Sequence, residues 1–140
     1  VETTRFRYFN VYGDRSPTKG QYAPVIGLFF QQKIAKKPMT VVGDGERRRD
    51  YTHVSDIVEA NILAATCEDS RAVGGLFNLG NGINYSVLDL VKMIGGPYEH
   101  IKDRLGEADA TLADNTRAKE ILGWDPEINL PEWVYNNKPG

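Results

Sequence analysis

Residues 39–56 read MTVVGDGERRRDYTHVSD, and the rest of the sequence is organised around this stretch. A short apolar run ends at Gly43-Asp44-Gly45-Glu46, which predicts a tight turn because glycine accepts positive φ without steric cost. The arginines of residues 47–49 follow, and then a β-branched and aromatic run. Arginine's planar guanidinium binds phosphate oxygens in pairs, so the stretch suits a phosphate. The alternative is a solvated basic hairpin, since charge runs usually face water.

Composition narrows the classes of protein open to this chain. Its 140 residues are 41% hydrophobic, which is enough for one domain with a core. A formal net charge of −2 argues against general nucleic-acid binding. No apolar run approaches the ~20 residues of a membrane span. The single cysteine, Cys67, fits a reducing cytoplasm. His53 and His100 lie far apart in sequence, so we expect no metal site.

Five stretches, in order and spacing, resemble the C-terminal half of the extended short-chain dehydrogenases, the NAD-dependent epimerase/dehydratase family. They are RYFNVYG at 7–13, GDGERRRDYTHVSD at 43–56, FNLGNG at 77–82, SVLDL at 86–90 and LGWDP at 122–126. Within the family, the sequence is most similar to nucleotide-sugar 4-epimerases of the UDP-glucose or UDP-N-acetylglucosamine type. The resemblance implies an α/β fold, with the last parallel strands of a Rossmann-type sheet and a small α/β substrate-binding domain.

Two motifs of that family do not occur in this sequence. It has no G-x-x-G-x-x-G turn, whose glycines let a backbone approach a dinucleotide pyrophosphate, and no Tyr-x-x-x-Lys pair. We therefore expect residues 1–140 to form the C-terminal, nucleotide-sugar-binding portion, without the NAD-binding Rossmann portion and without a catalytic residue. Such a chain is expected to be inactive by itself. The alternatives are a non-catalytic nucleotide-binding or interaction module, or part of a 4,6-dehydratase or decarboxylase.

The resemblance also implies contacts near the strand at the start of the chain and near residues 39–42. Tyr8 is expected near the nicotinamide of NAD, and the main chain of Phe9 near the sugar. The Asn10 amide is expected on the pyrophosphate, with a turn-forming role as the alternative. The main chain at Thr40 is expected to meet uracil, with Val42 against the face of the base. Some epimerases have an aromatic residue there, and valine offers only apolar contact.

The remaining ligands implied by the resemblance are charged or aromatic. Arg49 corresponds to the arginine that binds the diphosphate or ribose. Tyr51 corresponds to a neighbouring residue that contacts the ligand in the same pocket. Arg104-Leu105-Gly106-Glu107 resembles the family's Arg-Pro-Gly-Glu/Asp motif. There, arginine binds phosphate and the carboxylate accepts ribose hydroxyls, because an ionised carboxylate only accepts hydrogen bonds. A surface ion pair between Arg104 and Glu107 is the alternative.

Three further expectations concern residues outside the implied ligand set. Residues 21–24 are additional candidates for base or sugar contacts. Arg47 and Arg48 correspond to no ligand and are expected to be solvated. The partner of the site is expected to be a UDP-sugar or a related nucleotide-sugar.

Local patterns predict the elements. Residues 1–12 read as one central strand covered on both faces, and Leu76–Leu79 as its neighbour. Helices are predicted at 23–36, at 55–67 with Ser55 as its cap, from Ser86 with Asp89 in a near capping box, at 116–122, and after Asn129. Trp124 reads as a buried anchor. An apolar strand with an open edge pairs readily with another chain, so we expect a homo-oligomer.

Overall fold

The computed structural model describes residues 1–20 and 23–140. In this part of the chain, the strands are β1 (Arg5–Tyr8), β2 (Val11–Tyr12), β3 (Met39–Val42), β4 (Arg48–Arg49), β5 (Thr52–His53), β6 (Leu76–Leu79), β7 (Tyr85–Ser86) and β8 (Tyr98–Ile101). The helices are α1 (Val25–Ile34), α2 (Val54–Thr66), α3 (Val87–Ile94) and α4 (Leu130–Asn137). A 3-10 turn forms at Ser70–Ala72 and a π-helical turn at Ala118–Leu122. Among the residues described, no helix is long and apolar enough to cross a membrane.

The strands pair mostly in parallel, as in an α/β protein. β1 pairs with β6, β2 with β5 and β3 with β8, all in parallel, whereas β4 and β7 are antiparallel. Parallel neighbours require crossover connections, which the helices provide. In the first pair, Arg5 lies opposite Leu76 and Tyr8 opposite Leu79. The predicted pairing of the first strand with Leu76–Leu79 is therefore confirmed.

Asn10 interrupts the strand that was predicted over residues 1–12. Its φ of 37° lies in the left-handed region, which asparagine tolerates better than most residues. Strand pairing resumes only at β2. Three of the four β1 side chains are exposed among the described residues, so the covering of both faces, which was expected from the portion absent from this chain, stays a prediction. In the described part of the chain, β6 is the one strand bonded to β1.

The predicted turn after β3 is confirmed, but the strands on either side do not form a hairpin. Gly43 and Gly45 have φ values of 63° and 79°. A Cβ at Gly45 would lie 2.8 Å from Val41 Cγ1 and 2.7 Å from Leu88 Cγ, so only glycine fits. β3 pairs with β8, whereas β4 and β5 pair with β7 and β2. The stretch therefore connects separate parts of the molecule.

Side chains cap the starts of α2 and α3. α2 begins before Ser55, because His53 is the cap and its Nδ1 accepts from the Ser55 N–H at 3.1 Å. The predicted Ser55 cap is therefore wrong. At α3, Ser86 Oγ accepts from the Asp89 N–H at 3.0 Å, and Asp89 Oδ2 accepts from the Ser86 N–H at 2.9 Å. This reciprocal capping box confirms the predicted helix start.

The buried side chains form two hydrophobic cores. The first core lies among α1, β3, α3 and α4, and includes Phe29, Val41, Leu90 and Val134. The second lies among α2, β6 and the π-helical turn, with Trp124 at its centre. Trp124 is 1% exposed, as predicted, and its Nε1 donates to the carbonyl oxygen of Asp56 at 2.8 Å.

Two buried carboxylates join segments that are distant in sequence. Asp50 is fully buried, and it accepts the N–H groups of Asn81 and Gly82, each at 2.8 Å, and of Ala113 at 3.1 Å. Asp56 accepts the N–H groups of residues 127 and 128 at 3.0 and 3.1 Å. Backbone donors thus satisfy both charges, as buried carboxylates require. Asp50 brings the turn after β6 beside the segment that contains β4 and β5.

Candidate functional site

The three consecutive arginines each have different partners. The Arg47 guanidinium binds Asp103 with two nitrogens, at 2.5 and 3.2 Å. Arg48 donates to Asn84 Oδ1 and to the Asn84 carbonyl oxygen, at 2.8 and 2.9 Å. Arg49 donates to the Arg48 carbonyl oxygen at 2.8 Å. The expectation that Arg47 and Arg48 are merely solvated is wrong, because both hold other segments of the chain.

An open cleft of about 420 Å³ lies between the first turn of α1 and the loop formed by residues 103–107. Residues from well-separated parts of the sequence line it together. Five of the predicted ligands are among them: Asn10, Arg49, Tyr51, Arg104 and Glu107. Ala23 and Pro24 line it as well, whereas the other two candidates, Gln21 and Tyr22, lie outside the described residues.

Glu107 sits among three guanidinium groups. Its carboxylate oxygens lie 3.7 Å from Arg47, 4.0 Å from Arg49 and 3.7 Å from Arg104. The alternative prediction for Arg104 and Glu107, an ion pair at the surface, is therefore met in the structure. None of the three distances reaches hydrogen-bond length, so a stronger anion could replace Glu107 at Arg49 and Arg104.

Asn10 lines the cleft and also shapes the turn that precedes β2. Its amide nitrogen donates to the Asp50 carbonyl oxygen at 3.0 Å and to Thr111 Oγ1 at 3.1 Å. Both amide hydrogens are thus engaged by the protein, and the φ of 37° belongs to a turn. These contacts match the alternative prediction for Asn10, in which its side chain forms a turn. A contact between the amide and phosphate would have to replace the one with Thr111.

Two buried tyrosines contribute to the wall of the cleft. Tyr51 is 6% exposed and Tyr12 is 2% exposed, and neither hydroxyl has a hydrogen-bond partner among the described residues. Burial raises the pKa of both phenols, so each stays a neutral hydrogen-bond donor. The sequence interpretation did not include Tyr12. Its position just beyond the turn at Asn10 was the available signal.

Four predicted contacts lie away from this cleft. Tyr8 is about half exposed on β1, and its hydroxyl accepts from Asn61 Nδ2 at 3.2 Å. The Phe9 N–H donates to the Leu79 carbonyl oxygen at 3.1 Å. Thr40 and Val42 lie on β3, where Gln32 Oε1 accepts the Thr40 N–H at 3.0 Å. These four residues are not among those that line the cleft, and their predicted contacts stay predictions.

The residues that the structure describes do not by themselves build a dinucleotide site. The glycine-containing turn after β6 ends a parallel strand, where a pyrophosphate could be expected. The N–H groups of Asn81 and Gly82 in this turn, however, are bonded to Asp50. Tyr8 was the single residue assigned to NAD, and it lies on the exposed strand β1. Within the described ranges, no group of three His, Cys, Asp or Glu residues could hold a metal ion.

Fold and cleft together describe an α/β protein with a cleft that is lined by Arg49, Arg104 and Glu107. The model of the NAD-dependent epimerase/dehydratase family matches residues 1–80, which is more than half of the chain. The chain therefore belongs to this family.

Similar proteins agree with this assignment. UDP-glucose 4-epimerase of Mycolicibacterium smegmatis is 36% identical over 132 residues, which are 89% of this chain and 41% of that protein. UDP-glucuronic acid decarboxylase 1 of Arabidopsis thaliana is 38% identical over 94% of this chain and 30% of that protein. The crystal structure of UDP-glucose 4-epimerase from Thermotoga maritima with UDP-glucose matches with a TM-score of 0.85, at 32% identity, over 96% of this chain and 44% of that one. The chain thus spans less than half the length of these relatives.

Proposed function

We propose that this chain is the nucleotide-sugar-binding portion of an NAD-dependent sugar epimerase, most like UDP-glucose 4-epimerase, and that its cleft holds the diphosphate of the ligand. The observation that carries the proposal is the convergence of five implied ligands on one cleft. Arg49 comes from one segment, and Arg104 and Glu107 come from a second segment that is distant from it in sequence.

Arg49 and Arg104 are the groups assigned to the phosphates. Both face the cleft and contact one carboxylate loosely, so a diphosphate could displace that contact. When the diphosphate has taken over the two arginines, the Glu107 carboxylate could accept hydrogen bonds from the paired hydroxyls of a ribose. Tyr12 and Tyr51 contribute to the wall of the cleft, but their hydroxyl oxygens are buried, so neither hydroxyl is assigned to the bound anion.

Under this proposal, residues 1–140 bind the substrate and do not carry out hydride transfer. Residues 1–140 bind the nucleotide-sugar, and the NAD-binding portion is not among them. The chain by itself is accordingly expected to leave a UDP-hexose unepimerised when NAD is supplied. We place the protein in the cytoplasm and in carbohydrate metabolism, on the single partly buried cysteine and on the proposed substrate.

A second candidate function is UDP-glucuronic acid decarboxylation. The similarity to the Arabidopsis decarboxylase favours it as much as the similarity to the epimerase favours the first. Both would use the same nucleotide cleft, so UDP binding does not separate them. Titrating UDP-glucose and UDP-glucuronic acid side by side identifies the preferred sugar, and a preference for UDP-glucuronic acid would count against UDP-glucose 4-epimerisation.

Isothermal titration calorimetry with UDP tests the proposed cleft. The expectation is binding by the wild-type chain and weaker binding by Arg49→Ala and Arg104→Ala. A charge-assisted hydrogen bond contributes about 1.5–3 kcal/mol, so each loss should weaken binding by roughly ten- to a hundredfold. Arg71→Ala is the matched control, because Arg71 is exposed and pairs with Asp69 instead. Equal affinities in all four proteins would show that the cleft is misassigned.

A further inference from the structure

The loop that carries Arg104 and Glu107 has no buried side chains and no regular secondary structure to hold it in place. All residues from 102 to 110 are exposed, and no regular helix or strand occurs from 102 to 109. The loop is fixed at its two ends, where Gly43 N–H donates to the carbonyl oxygen of Ile101 and Arg48 N–H to that of Asp109. An exposed loop without buried apolar side chains opens easily unless something tethers its middle.

Arg47 is positioned to be that tether. Besides its two bonds to Asp103, it donates to the Arg104 carbonyl oxygen at 3.3 Å and lies 3.7 Å from Glu107. Its side chain is 19% exposed, so the guanidinium is held against the protein. A planar guanidinium can bind a carboxylate and a carbonyl together, which a lysine ammonium does with less geometric restraint.

Arg47 does not line the ligand cleft. It lies on the other side of the loop, in a shallow depression together with Asp44, Glu46, Asp103 and Asp109. Four carboxylates around one guanidinium make this depression unfavourable for a phosphate. The charge of Arg47 is therefore used within the protein, although the residue belongs to a run that suits an anion.

We propose that Arg47 is a positioning residue, which fixes the loop 103–107 so that Arg104 and Glu107 face the nucleotide. This inference rests on the proposed function of the cleft. If the loop faces the ligand only part of the time, the apparent affinity falls by that fraction. A variant that holds the loop in place one-tenth of the time would bind UDP about tenfold more weakly.

Hydrogen exchange of the ligand-free protein tests the tether without any ligand. Arg47→Ala and Asp103→Asn should both speed amide exchange in residues 102–108 about tenfold. Arg48→Ala is the matched control: its side chain holds Asn84 instead, so exchange in the loop should stay as in the wild type. Thermal melts check that all variants are folded. Unchanged exchange in Arg47→Ala would overturn the proposal.

UDP titration of the same proteins then separates positioning from direct binding. A positioning role requires that Asp103→Asn weakens UDP binding about as much as Arg47→Ala, and that the double variant is no worse than either. A direct phosphate contact by Arg47 would leave affinity unchanged or improved in Asp103→Asn, and this outcome would overturn the inference. A wild-type chain with a protected loop that binds no UDP would contradict the proposed function and leave the tether standing.

Discussion

Asp50 and Arg49 are neighbours in the chain, but their side chains occupy different environments. The Asp50 carboxylate is buried against three backbone N–H groups, while the Arg49 guanidinium faces the cleft. Successive side chains of an extended segment point to opposite sides, so one of two adjacent charged side chains can be buried while the other faces the cleft. Asp50 thereby fixes the backbone from which Arg49 and Tyr51 project.

Replacing Asp50 by asparagine should destabilise the protein without changing the size of the side chain. The amide would present N–H groups to backbone donors and lose charge-assisted bonds, at a cost of about 1–3 kcal/mol in the free energy of unfolding. Urea denaturation of Asp50→Asn against the wild type measures the loss. Asp125→Asn is the control, because that side chain is 82% exposed and makes one long ion pair. A loss of the same size in both variants would rule out the buried network as its cause.

At the scale of elements, the sequence predicts features formed by neighbouring residues, but not contacts between residues that are distant in sequence. The α3 capping box could be predicted because both of its members, Ser86 and Asp89, lie within one helical turn. β8 was missed because all four of its side chains are exposed, so no alternation marks it as a strand. The contact between Arg47 and Asp103 depends on the pairing of β3 with β8, and the sequence alone does not show that pairing.

The start of α3 offers a test at this scale. Ser86→Ala removes the hydroxyl that caps the helix and should lower the free energy of unfolding by about 1 kcal/mol. The loss should appear as a lower urea midpoint with an unchanged slope. Ser70→Ala provides the comparison, since Ser70 is exposed on a 3-10 turn. A stability change in Ser86→Ala no larger than in Ser70→Ala would show that the cap contributes little.

At the scale of the whole molecule, the described residues leave one strand edge open, and the helix face beside it is apolar. Within the described residues, β1 pairs on one side only, and the adjoining face of α2 exposes Val54, Val58 and Ile62. The bond between Asn61 and Tyr8 brings this face next to β1. Open strand edges and contiguous apolar patches favour association with another chain.

We therefore expect the chain to self-associate. Light scattering at micromolar concentration should give the mass of a dimer or a larger species. Val58→Lys should shift the population towards monomer, because a charge within the apolar face opposes its burial. Ile83→Lys is the control, as Ile83 is similarly exposed but follows β6, away from α2. A wild-type monomer with a cooperative melt would show that this edge needs no partner.

The two hydrophobic cores also give the chain an optical property. Its two tryptophans are divided between them: Trp124 lies within the second core, and Trp133 packs on the first with its ring stacked on Phe30. Indole fluorescence responds to the solvent around each ring, so a variant that keeps one tryptophan reports on one core. The chain thus contains an intrinsic reporter for each half, and unfolding of either core can be followed without an added label.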